Sequence, residues 1–141
     1  MIQLIIGAKG KGKTKLLLDR ANEAVKKVSG NIVYVDKSDQ NMFELSNKIR
    51  LIDASKLPLK NADQFLGAVF GIISQDHDLE QVYLDSFLKL AKIEDKPELL
   101  EAVLSELEEF SKEFKVDFVV SVSIEKEALS EKLQALVDTS L

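Results

Sequence analysis

Eight consecutive residues carry most of the chemistry available to this sequence. Gly7-Ala8-Lys9-Gly10-Lys11-Gly12-Lys13-Thr14 fills every fixed position of the pattern G-x-x-x-x-G-K-[ST]. In such a segment, successive backbone N–H groups curl around a phosphate. Glycine is needed there because a Cβ would block the approach or forbid a positive φ. Lys13 is placed to reach the outer phosphates of a nucleotide as a point charge, and the Thr14 hydroxyl to coordinate Mg²⁺. Lys9, Lys11 and Lys15 either strengthen the local field for a triphosphate or are solvated surface lysines.

A loop of this kind calls for an acid that holds the cation through water. Val82-Tyr83-Leu84-Asp85 supplies one at the carboxyl end of an apolar strand, which is where ligands gather in open α/β sheets. Asp36, at the end of Asn31-Ile32-Val33-Tyr34-Val35-Asp36, is the candidate general base and equally a turn-forming aspartate. Asp53 is a weaker candidate for the same role. Arginine occurs only at positions 20 and 50, so charge stabilisation from within the chain has few sources, and turnover is expected to need a partner.

The elements that must position these groups follow from the hydrophobic pattern. Ile2 to Ile6 reads as a strand covered on both faces, and from Lys13 the spacing turns helical up to Gly30. Further strands are expected at 31–36, 49–53, 81–86 and 116–123, with a short helix around Met42 to Lys48. The stretch from Asn61 to Ser74 is apolar around most of its circumference and should form a largely buried helix. Leu100, Val103, Leu104, Leu107, Phe110 and Phe114 form the inner stripe of another helix, whose outer face is acidic and solvated. Ala128, Leu129, Leu133, Leu136 and Val137 mark a final amphipathic helix.

Composition narrows the function. The 141 residues suffice for a single domain, 1–141, with one substantial core. There is no cysteine and one histidine, His77, in a polar loop, so any metal chemistry rests on oxygen ligands. A net charge of −5 argues against a surface that neutralises a nucleic-acid backbone. The longest apolar run, Phe65 to Ile73, is too short to cross a bilayer, so no membrane contact is expected. No basic leader or cleavage site follows Met1, and a cytoplasmic location is the expectation.

The loop set between a strand and a helix, together with Asp85-Ser86, resembles the P-loop NTPases. Within them it resembles the RecA-like ATPases, a group that includes recombinases, replicative helicases, and secretion and pilus-retraction motors. The similarity runs over nearly the whole length, through Asp36, Leu51-Ile52-Asp53 and Leu57. It implies a three-layer α/β/α sandwich with a mainly parallel sheet of about five strands. The RecA-like arrangement implies that the strand at 116–123 lies between the loop strand and the Asp85 strand, with Ser121 or Ser123 sensing the γ-phosphate. Ile2 to Ile6 would then be an open sheet edge that a homodimer could cover. The alternative, with the loop strand directly beside the Asp85 strand, resembles the kinase–GTPase branch. RecA-like hydrolases generally place a glutamate near the γ-phosphate, whereas here the corresponding positions hold Asp36 and Ser86.

The leading functional expectation is an ATP-binding protein that is a slow or partner-stimulated ATPase and acts as a nucleotide-dependent switch toward a protein partner. The alternative is an ATP-dependent phosphotransferase acting on a small acceptor such as a nucleoside. The scarcity of arginine weighs against it. Corrinoid adenosyltransferases show a similar loop and are a lesser variant. GTP is disfavoured because Asn47-Lys48-Ile49-Arg50 lacks the aspartate of the guanine-reading N-K-x-D motif.

Overall fold

The computed structural model describes residues 1–141. Six strands, β1 (Ile2–Ile6), β2 (Asn31–Asp36), β3 (Arg50–Asp53), β4 (Leu79–Leu84), β5 (Asp117–Val122) and β6 (Val137–Ser140), form one sheet in the order β3-β2-β4-β5-β1-β6. Every pairing is parallel. The helices are α1 (Lys13–Ala24), α2 (Ala62–Ser74), α3 (Phe87–Leu90), α4 (Leu100–Phe114) and α5 (Glu131–Gln134).

Strand alternation sorts the core into two layers. Ile5, Ile32, Tyr34, Tyr83 and Val119 face α1 through Leu17, Leu18 and Ala21. Their neighbours Leu4, Val33, Val82, Leu84 and Val120 face α2 and α4 through Phe65, Val69, Val103, Leu104 and Leu107. The result is a three-layer α/β/α sandwich around an all-parallel sheet. No helix is long and apolar enough to cross a membrane.

As expected from the resemblance, β5 lies between β1 and β4. Ile5 is in register with Ser121, and Tyr83 with Val119.

Three expectations need correction. The closing segment is not one amphipathic helix: a single short helix, α5, gives way to β6, whose residues alternate between half-buried and exposed. Leu129, Leu133 and Leu136 do have helical spacing, but the free edge of β1 offers Val137–Ser140 a ladder that helix propensity cannot match. Leu4 donates to the Leu136 carbonyl, Leu141 donates to that of Ile6, and Arg20 on α1 binds Asp138 and Thr139. The sheet therefore has six strands, and the loop strand is an inner strand, which removes the open-edge ground for a homodimer.

Second, α2 buries one stripe only, Phe65, Val69 and Ile73. Phe70 on its outer side is 44% exposed and packs edge-on against Phe110 and Phe114 of α4. Third, the expected helix at 42–48 is one 3₁₀ turn, Met42–Glu44.

Gly30 owes its place to a close approach. A Cβ there would lie 2.1 Å from the Asp78 carbonyl oxygen and 2.6 Å from the Glu80 carboxylate, just where Asn31 donates to Asp78 at 2.7 Å to open the β2–β4 ladder. Gly30→Ala should therefore cost about 1–3 kcal/mol through forced displacement of backbone. Melting would show this as a drop of roughly 3–10 °C. The glycine loop at 7–14 should be undisturbed, because Gly30 lies at the opposite end of the sheet.

Candidate functional site

In a parallel sheet all carboxyl ends lie on one side, and here β1 runs directly into the glycine loop. Gly10 and Gly12 adopt φ of +82° and +91°, a region costly for any residue with a side chain. Gly12 is also the N-cap of α1, with no side chain to cap the helix and no acidic residue in the first turn. The first-turn N–H groups, which have no intrahelical partners, are thus left for an anion.

Lys13 is buried, 8% exposed, and its Nζ donates to the Ala8 carbonyl at 2.9 Å, folding back over the loop. Burial pulls its pKa below the usual lysine value, while the charges of Asp85 and Glu125 oppose that shift.

The strand ends complete the site. Alternation puts Asp36, Asp85 and Ser121 on the α1 face, where Thr14 meets Asp85. The Thr14 hydroxyl donates to Asp85 Oδ1 at 3.3 Å, and Ser121 Oγ donates to the same oxygen at 2.6 Å. Ser121 Oγ also accepts the Ser86 N–H at 2.8 Å. The Tyr34 hydroxyl donates to Asp85 Oδ2 at 3.1 Å. Asp85 is 2% exposed, so one buried carboxylate is held by three hydroxyls from three different elements. Burial and the Asp85 charge push the Tyr34 phenol far above its ordinary value, so it remains a donor.

A cavity of about 740 Å³ opens over this cluster. Lys9, Gly10, Gly12, Lys13 and Thr14 form one wall, Asp85, Ser86, Ser121 and Ser123 the floor, and Lys37, Leu88, Lys89 and Glu94 the rim. Of the other expected phosphate-loop contacts, Gly7 is buried beside Leu141, and Ala8 contributes the carbonyl that holds Lys13. Lys11 is exposed outside the cavity lining, and Lys15 pairs with Asp19 at 3.3 Å on the surface of α1.

Asp36 does not line the cavity. It is 1% exposed, with one oxygen accepting the Lys37 N–H at 2.7 Å and the other Asn41 Nδ2 at 3.0 Å. Burial raises its pKa, the Asn41 bond opposes this, and the Asp85 charge adds to it. Its observed work is to anchor the loop after β2. Asp53 binds its own turn through Ser55. His77 and Arg50 are exposed, and Arg20 is committed to β6.

The rim residues Lys37, Lys89 and Glu94 did not stand out in the sequence. Lys37 had a usable signal, since it directly follows a strand's carboxyl end. Lys89 and Glu94 depend on a local reversal: Ser86 and Lys92 bracket α3 at φ of +58° and +59°, and Ile93 donates back to the Leu88 carbonyl at 2.9 Å. That closure returns Glu94 to the rim.

The donor set tests the site's suitability for a divalent cation. The Thr14 hydroxyl and the Asp85 carboxylate meet there, and nowhere do three or more His, Cys, Asp or Glu side chains converge so as to hold a metal ion by themselves. All-oxygen donors in this number suit Mg²⁺ only when phosphate and water supply the remaining ligands. The residues therefore fit a cation that arrives with a nucleotide.

No protein-family model matches this chain, and no curated protein matches it. Among solved structures, it is similar to the replication initiator DnaA bound to AMPPCP and single-stranded DNA, at 15% identity and a TM-score of 0.49. That match covers 99% of this chain and 40% of the DnaA chain.

Proposed function

We propose that this chain binds ATP with Mg²⁺ in the cavity over the glycine loop and works as a slow or partner-stimulated ATPase whose nucleotide state is read by another protein. The observation that carries this reading is the meeting of Thr14, Asp85 and Ser121 directly beside Lys13 and the uncapped start of α1. The position of β5 between β1 and β4 supports placing it in the RecA-like branch.

The loop amides and Lys13 hold the phosphates; Thr14 and Asp85 hold the cation, which when bound neutralises phosphate charge and orients it for attack. Lys37 and Lys89 add positive charge at the rim, where no arginine reaches.

Slow turnover follows from the shortage of a base. Asp85 is occupied by hydroxyls and Asp36 by its own loop, which leaves Glu94 as the one other carboxylate lining the cavity, on the exposed rim. Switching follows from Ser121. Its hydroxyl has one proton to give, now given to Asp85, while it accepts the N–H of Ser86, the residue that starts α3. A γ-phosphate that takes the proton pulls on α3, and with it Leu88 and Lys89 on the rim. Asn47 to Ile49 precede β3 and Arg50 opens it, at the opposite end of the sheet, so they cannot read a base in this cavity, in keeping with ATP rather than GTP.

The test is to melt the protein with Mg²⁺ and either ATP or GTP while following phosphate release. ATP at a hundred times its Kd should add about 2.7 kcal/mol, or roughly 10 °C, with GTP giving much less and release remaining slow. ADP that forms only with a small-molecule acceptor, without free phosphate, would redirect the reading to phosphotransfer. No shift with either nucleotide would sink it.

A further inference from the structure

The least expected contact in the molecule is the one beneath the site. Asp85 Oδ1 faces two short, rotatable hydroxyls, Ser121 and Thr14, both positioned to turn toward a ligand. Oδ2 has a single partner, the Tyr34 hydroxyl at 3.1 Å, at the end of a long side chain that is 0% exposed. The Tyr34 ring cannot drift. It is in register with Tyr83 across the β2–β4 ladder, and the two rings stack with centroids 6.1 Å apart and planes 9° from parallel. The hydroxyls reach opposite ways: that of Tyr83 donates to Gln81 at 2.7 Å, that of Tyr34 to Asp85.

We propose that Tyr34 is a positioning residue for the Mg²⁺ site, holding the Asp85 carboxylate from below in the orientation that faces Thr14. The proposal rests on the Mg²⁺-ATP reading above. When Thr14 and Ser121 redirect their hydroxyls to a ligand, the Tyr34 bond is the one that keeps Asp85 from turning. Without it, Oδ2 of a buried carboxylate has no donor, and the side chain rotates to find one.

The test uses the full chain as Tyr34→Phe and Tyr83→Phe, measuring ATP affinity by calorimetry in excess Mg²⁺ and in EDTA. Tyr34→Phe should keep its EDTA affinity within about twofold and lose about tenfold of the Mg²⁺-dependent tightening, as expected for one hydrogen bond to a charged group. Tyr83→Phe, which loses a hydroxyl from the same stacked pair, should match the wild type. A second readout does not depend on the folding of Tyr34→Phe. The chain has two tyrosines and no tryptophan, so Tyr83→Phe leaves Tyr34 as the sole emitter. A carboxylate quenches the phenol that donates to it, and Mg²⁺ added to the ATP-loaded variant should draw charge from Asp85 and raise the emission. Undiminished Mg²⁺ tightening in Tyr34→Phe, an equal loss in Tyr83→Phe, or flat Tyr34 emission would overturn the proposal alone. A wild type that binds no ATP at all would overturn both the proposal and the reading beneath it.

Discussion

Lys13→Ala is expected to weaken ATP binding by at least a hundredfold while leaving the nucleotide-free protein folded. Lys13 is the one buried cation at the loop, and its ammonium now rests on the Ala8 carbonyl. Two charge-assisted bonds to phosphate at about 1.5–3 kcal/mol each account for the loss. Folding should change little, because the substitution removes a desolvated charge together with a single backbone contact.

The sign of the pH dependence gives a second check. Burial lowers the folded pKa of Lys13, so between that value and the ordinary one the unfolded chain binds more protons at this residue. Stability contributed by Lys13 therefore rises with pH through that window. Without nucleotide, the melting temperature of the wild type minus that of Lys13→Ala should increase from neutral pH toward pH 10.5. A normal ATP-induced melting shift in Lys13→Ala would remove the lysine from the site.

Asp85→Asn should separate the cation from the nucleotide. The amide has the shape of the carboxylate, and the three hydroxyls around it can adapt. Ser121 already accepts the Ser86 N–H, so the amide oxygen belongs on its side, and Nδ2 can donate to the Tyr34 hydroxyl. Removal of the buried charge is offset by the Tyr34 proton, which loses its acceptor, so the nucleotide-free protein should change by no more than about 1 kcal/mol, or roughly 4 °C. ATP affinity in EDTA should hold. Added Mg²⁺ should no longer tighten binding, and phosphate release should fall at least a hundredfold, about 2.7 kcal/mol in the barrier. Calorimetry with and without Mg²⁺ decides it, and an intact Mg²⁺ effect would relocate the metal.

The parts of this site that could be read from the chain are those in which residue type and spacing carry the geometry. Gly10 and Gly12 announce positive φ, and an apolar strand ending at Asp85 announces a carboxylate at the ligand side of the sheet. The strand order followed from likeness to a known arrangement, and β5 does lie where that likeness puts it.

What could not be read depends on partners far away in sequence. Val137–Ser140 is a strand only because β1 offers it an edge, and nothing local distinguishes it from the end of an amphipathic helix. Tyr34 reads as an ordinary β-former, and its bond to Asp85 requires knowing that β2 and β4 are neighbours in that register. Asp36 shows the converse. As a strand-end acid it qualified as a base, but the loop it begins returns Asn41 to claim one oxygen and the Lys37 N–H to claim the other.

The pairing of β1 has a consequence for the order in which the molecule is made. Its two neighbours are Asp117–Val122 and Val137–Ser140, so once made it waits for more than a hundred residues before either partner exists. Polypeptides tend to fold from the amino end as they emerge, yet here the β3-β2-β4 half can zip up first. The glycine loop and the strand before it, although synthesised ahead of β2, β3 and β4, are among the last to find their neighbours.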